Sequence, residues 1–179
     1  MPVNWKGEIV RLTYVKQELA EVDCQKLWPW HLPSVAASEQ EILECKNRLG
    51  FALDPQFVDF LRHANGWRGF IQSTDLFGTT DLGGGGSMLL AQEMLGYLEG
   101  DVLAQAGITK ESVFPIAVSS VDLDLFVMTK PSSVPAGIVI WFAGYEIQRF
   151  SNFHEFFLAI VDYNILQIEN LKKSDQADH

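Results

Sequence analysis

The residues in this chain that could carry chemistry are few, and most lack the partners that chemistry would need. Gly78 and Gly83 have the G-x-x-x-x-G spacing of a phosphate loop, but Gly84 and Gly85 follow where such a loop carries Lys and then Ser or Thr. Without that lysine, and beside Asp75 and Asp81, a polyphosphate would meet repulsion. Ser87 lacks the surroundings of a hydrolase nucleophile, because Leu89 occupies the last glycine position of G-x-S-x-G. It reads instead as a helix cap. The histidines, His31, His63, His154 and His179, form neither H-x-x-x-H nor H-E-x-x-H, so no helical metal site is expected. No cofactor-binding signature is present, and none is expected.

Two constellations stay open. Asp122 and Asp124 could share one side of a strand as a carboxylate pair for acid and base work, or lie in a solvated turn beside Ser119 and Ser120. Trp67 and Arg68 follow a helix stop and are types enriched at interface hot spots; equally, Trp67 could belong to the core with Arg68 outside. An enzyme assembled across the fold around Asp122, Asp124 and His154 is the third-ranked reading.

The elements that must position these residues are legible from patterning. With 179 residues, 47% of them hydrophobic, the chain can bury a core and is expected to form one domain. Spacing of Val10, Tyr14, Val15, Leu19 and Val22 predicts a helix over Glu8 to Leu27, followed by a connector whose Trp28 and Trp30 pack back onto the domain. Ser38 with Glu41 is a capping box opening a helix that ends at Gly50. Asp54 and Pro55 open another, carrying Phe57, Val58, Phe60, Leu61 and Ala64 and stopping at Asn65 and Gly66.

A strand is expected over Phe70 to Leu76, a mobile loop over Gly78 to Ser87, and broken helix from Met88 to Ala106. Runs at Val113 to Val118, Leu125 to Thr129, Ile138 to Phe142 and Tyr145 to Phe150 suggest an antiparallel meander. A last helix begins near Ser151 or Asn152 and buries Phe153, Phe156, Phe157, Ile160 and Val161. Residues 1–37 are thus a helix and connector packed on a main domain of residues 38–168. Residues 169–179 read as a disordered tail.

Net charge is −10, and the stretch from Gly69 to Asp124 holds eight carboxylates against Lys110 alone. Nucleic acid and anionic membrane would be repelled, and a basic protein attracted. Cys24 and Cys45 are too few for a disulfide framework and read as reduced thiols. With no secretory leader or membrane-length apolar run in evidence, a cytoplasmic location is the default expectation.

The passage from Ile42 through Gly66, with Leu49 and Gly50, the short Phe51 to Pro55 link, then Phe57, Phe60, Leu61, Asn65 and Gly66, resembles the SUKH superfamily. The likeness continues in Phe114 to Ala117, Leu125 to Met128, and Ser151, Phe153, Phe156 and Phe157. The sequence departs from the family at Ser119 to Asp122, which lacks the usual glycine-containing turn. The resemblance implies an α+β fold, with a curved, mostly antiparallel sheet and helices packed around it. It also implies protein binding without catalysis, as in bacterial immunity proteins that neutralise toxins, including nucleases, or in regulatory adaptors. On this reading Asp75, Asp81, Asp122 and Asp124 meet a basic toxin surface, and Trp67 and Arg68 are candidate anchors.

Overall fold

The computed structural model describes residues 2–177, so His179 and Asp178 lie outside the described residues. Its helices are α1 (Trp5–Val22), α2 (Glu39–Leu49), α3 (Pro55–Leu61), α4 (Thr79–Leu82), α5 (Met88–Tyr97), α6 (Gly100–Gln105) and α7 (Phe153–Ala177). Its strands are β1 (Trp67–Ile71), β2 (Thr74–Leu76), β3 (Val113–Ser119), β4 (Asp124–Thr129), β5 (Val139–Ala143) and β6 (Glu146–Phe150). Each strand pairs antiparallel with the next, giving an open sheet in sequence order. The fold is α+β, as expected.

Local chemistry explains the helix pair. Ser38 and Glu41 form the capping box reciprocally, and Gly50 closes α2 in the left-handed conformation with φ 77°. Asp54 accepts from the backbone N–H groups of Gln56 and Phe57 at the start of α3, where Pro55 lacks a donor to leave unsatisfied.

The core lies between α7 and the sheet. Helix α1 packs along α7, which also touches β1, β6 and α3, while α5 covers β3 and β4. The central strand β3 is buried at every position, as a strand covered on both faces must be. Pro115 interrupts it without harm, because the β3–β4 register shifts between Pro115 and Ala117, where a bulge relieves the ladder. Trp5, Phe57, Phe60, Phe153 and Phe157 form one aromatic cluster, continued through Phe70 and Phe156 to Phe126. Mixed edge and tilted contacts of this kind add to the burial term.

Several expectations needed revision. The buried face of α1 is Trp5, Leu12, Lys16 and Leu19, whereas Val10 and Tyr14 are 52% and 68% exposed. A buried lysine on the inner stripe rotated the face away from the one that apolar spacing selects. The expected strand over Phe70 to Leu76 is a hairpin, β1 and β2, turning at Gln72 and Ser73 with Gln72 at φ 49°. The expected mobile loop contains α4, whose first N–H, on Thr79, donates to Asn65 Oδ1 at 2.7 Å. Ser87 does stand at the α5 cap position, but makes no side-chain cap bond. Trp28 is half-buried and Trp30 43% exposed, so only one packs back. Beyond Glu169, where disorder was expected, α7 continues to Ala177, and Lys172 pairs with Glu18 of α1 at 2.7 Å.

Candidate protein-binding face

Trp67 is a core residue. It is 1% exposed, donates its indole N–H to the carbonyl of His31 at 3.0 Å, and packs at a tilt against Phe70. As an interface anchor it is therefore withdrawn; a buried indole with its hydrogen bond made has nothing to offer a partner. Arg68, the next residue in β1, faces solvent because successive side chains alternate across a strand.

Arg68 and Asp75 stand between two polar hollows. One, of about 370 Å³, also takes in Asn65, Thr80, Asp81 and Ser87. The other, of about 330 Å³, is lined as well by Trp28, His31, Ser73 and Asp122. Four of the six expected site residues thus share one surface. Each acid there already serves the chain. Asp75 accepts from Gly69 N–H at 2.8 Å, Asp81 from Gly78 and Ser87 N–H at 3.3 and 3.2 Å, and Asp122 from the Ser73 hydroxyl at 2.9 Å.

Asp124 is held apart from that group. It accepts from the Trp141 indole at 2.8 Å, and burial raises its carboxyl above the ordinary range; the indole bond opposes that rise and the Asp122 charge adds to it. Asp122 and Asp124 therefore brace different partners: Asp122 lies in the exposed turn, whereas Asp124 opens β4 and is half-buried, so the two are neither a carboxylate pair nor both in a solvated turn. His154 lies elsewhere, against the Trp5 ring at 5.6 Å, with Glu8 at 3.9 Å and its backbone N–H on Gln56. The Asp122, Asp124 and His154 assembly is not brought together by these contacts. Among the described residues no group of His, Cys, Asp and Glu is placed to hold a metal ion, and no helix is long and apolar enough to cross a membrane.

Sequence reasoning missed an apolar hollow of about 400 Å³, lined by Met94, Tyr97, Leu98, Val102, Leu123 and Phe142, with Glu99 at its edge. It forms where α5 and α6 meet the β3–β4 turn. Tyr97 is 76% and Leu123 68% exposed, and Tyr97 is steadied by its hydroxyl donating to Glu93 at 2.9 Å. The available signal was Val121 and Leu123 in a polar turn, large apolar residues with no core to enter.

All five ion pairs among the described residues use carboxylates outside Gly69 to Asp124: Glu8, Glu18, Glu39, Glu146 and Asp162. The eight acids of that segment have no ion-pair partner among the described residues.

The model of the SMI1/KNR4 family, SUKH-1, matches residues 36–159, from just before α2 into α7. No curated protein matches the sequence. The matched stretch holds α2, α3, the whole sheet and the acidic segment. It leaves out α1 and most of α7, the pair that pack on each other. With well over half of its length matched, the chain belongs to the SMI1/KNR4 family (SUKH-1).

Proposed function

We propose that this chain is a non-catalytic protein-binding module that acts as an immunity protein, neutralising a toxin with a basic surface, such as a nuclease. One observation carries the reading: eight carboxylates between Gly69 and Asp124, none in an ion pair among the described residues and with Lys110 the one base in that segment, leave an excess of negative charge. A basic partner completes it. The charges steer encounter, and desolvated apolar contact sets the lifetime of the complex.

The apolar hollow supports a division of labour on this surface. Tyr97 and Leu123 offer apolar contact, Glu99 lines the edge, and Glu93 and Asp101 stand on α5 and α6 next to lining residues in the chain. The occupant proposed is therefore an apolar side chain of the partner set among Lys and Arg residues. Arg68, Asp75, Asp81 and Asp122 extend the contact toward the β1–β2 hairpin, and Asp124 adds charge without reaching out. A standard interface takes about 800 Å² from each partner, enough to include both regions.

The test is affinity capture from the native cell at low and at high salt. The proposal expects a basic protein retained at low salt and released as salt rises. Retention of no protein at low salt would remove its support.

A further inference from the structure

A third hollow has the opposite character. Of about 420 Å³, it is lined by Arg48, Lys110 and Lys130 and by no carboxylate, in a chain whose net charge is −10. Its walls are apolar, with Leu49, Phe51, Leu82, Met88 and Phe114 among them.

None of the three cations is in an ion pair among the described residues. Arg48 lies against the glycine run, so close that a Cβ on Gly83 would stand 3.3 Å from its Cδ and 3.4 Å from Nη1. Lys110 donates to the Gly96 carbonyl near the end of α5 at 2.6 Å, which leaves two ammonium protons free. Lys130 sits over the Phe51 ring, 5.1 Å from its centre. Glu111, the neighbouring carboxylate, is held below the ordinary range first by hydrogen bonding to its own backbone and to Thr109 and then by the charges of Lys110 and Lys130; it does not line the hollow. Asp81 is turned toward the adjacent polar hollow.

Mutual repulsion among three cations is tolerable only where solvent or an anion offsets it. Like charges gathered around apolar walls, with no acid among them, form a receptor for an anion carrying an apolar body. Pockets of a few hundred cubic ångströms suit small organic ligands. The glycine run fails as a phosphate loop by sequence, since no lysine follows it. The fold supplies the cations from α2, from the 3₁₀ turn before β3 and from the residue just after β4.

We infer that this hollow binds a small organic phosphate with a planar apolar group, the phosphate meeting Arg48, Lys110 and Lys130 and the ring meeting Phe51 and Phe114. The site is independent of the protein-binding face and stands or falls separately from it.

The test titrates the full chain with phenyl phosphate, inorganic phosphate and phenol, reading amide chemical shifts. Phenyl phosphate should shift Gly83, Gly84, Gln92 and Gly96 with a Kd of about 1 mM or tighter, and bind more tightly than phosphate or phenol. Arg48→Gln and Lys130→Gln should each weaken it roughly tenfold, the loss of one charge-assisted contact. Gly83→Ala keeps every charge and an ordinary φ of −74°, but its Cβ would stand 3.1 Å from Thr79 O and 3.3 Å from Arg48 Cδ, so it crowds Arg48 and should weaken binding too. Lys26→Gln, on the distant connector, should change nothing. Absence of localised shifts would overturn the inference. So would phenol binding as well as phenyl phosphate, or a folded Arg48→Gln, Lys130→Gln double variant binding like the wild type.

Discussion

The Trp67 indole N–H donates to the His31 carbonyl at 3.0 Å, tying the first strand to the connector 36 residues before it. Three backbone bonds reinforce this link: Ser34 N–H to Gly66 O, Ala37 N–H to Leu61 O, and Asn65 N–H to Val35 O. The connector is thereby part of the domain, and Trp67 is the pin. Trp67→Phe should cost about 1 to 3 kcal/mol, from an orphaned carbonyl and a smaller ring in a close-packed site. Urea unfolding checks this as a lower midpoint at unchanged slope. Partner binding by the folded variant should not change.

Lys16 makes stability depend on pH. Its ammonium is buried between α1 and the sheet, donates to the Gly69 carbonyl, and is pushed down to about 8 by burial. Between there and 10.5 the unfolded chain holds a proton that the native chain has released, so stability rises with pH. Cys45 acts the other way. Burial pushes its thiol up to about 11, so above 9.0 the unfolded chain ionises first and stability is lost. The expected profile climbs between about pH 8 and 9 and flattens beyond. Lys16→Met should abolish the climb. Cys45→Ala should let it continue above pH 9, toward a total on the order of 3 kcal/mol. Denaturant midpoints across pH 7 to 11 measure both, and a wild-type profile flat from 8 to 9 would be the contrary result.

Asn65 and Gly66 show why this helix stop has these residues. Asn65 Oδ1 accepts from Thr79 N–H at 2.7 Å and its amide donates to Thr79 Oγ1 at 2.9 Å, so one side chain anchors the start of α4. Gly66 has φ 88°, and a Cβ there would stand 2.6 Å from Gly78 N. Gly66→Ala should therefore cost at least about 2 kcal/mol, and Asn65→Ala about the same through two orphaned groups. Loss of Tm reads both; a Gly66→Ala protein as stable as the wild type would contradict this packing.

Asp124→Asn should be neutral to slightly stabilising at pH 7, by less than about 1 kcal/mol for a half-exposed charge. An amide oxygen can still accept from Trp141, while the burial penalty and the Asp122 repulsion vanish. The raised carboxyl binds its proton more tightly in the native chain, so wild-type stability falls as pH rises through its titration range. The variant should lack that contribution. Thermal melts from pH 3 to 7 compare the two.

What could be read from the sequence was what local chemistry decides. Ser38 with Glu41, and Asp54 with Pro55, announce α2 and α3 because caps act within one turn. The four later strands and the opening of α7 were likewise set by local patterning. Where tertiary packing decides, sequence patterning misleads. Lys16 occupies the inner stripe of α1 because the Gly69 carbonyl accepts from it, a partner 53 residues away. The polar end of α7 stays helical beside α1, where Lys172 meets Glu18, 154 residues apart in the chain. Of the site, Arg68, Asp75, Asp81 and Asp122 do gather on one surface. Trp67 was open to two readings until its burial decided. The Tyr97 and Leu123 hollow exists only once α5 and α6 are laid against a turn far along the chain, so no motif encodes it.

The central claim is that an acidic face with an apolar centre binds a basic protein. Its most direct test measures association and dissociation rates of the protein retained at low salt, against wild type and two variants. Glu93→Gln, Glu99→Gln and Asp101→Asn together should slow association about tenfold and flatten its salt dependence, with dissociation little changed. Leu123→Ser should speed dissociation about tenfold or more and leave association alone. Unchanged rates in both variants would contradict the claim.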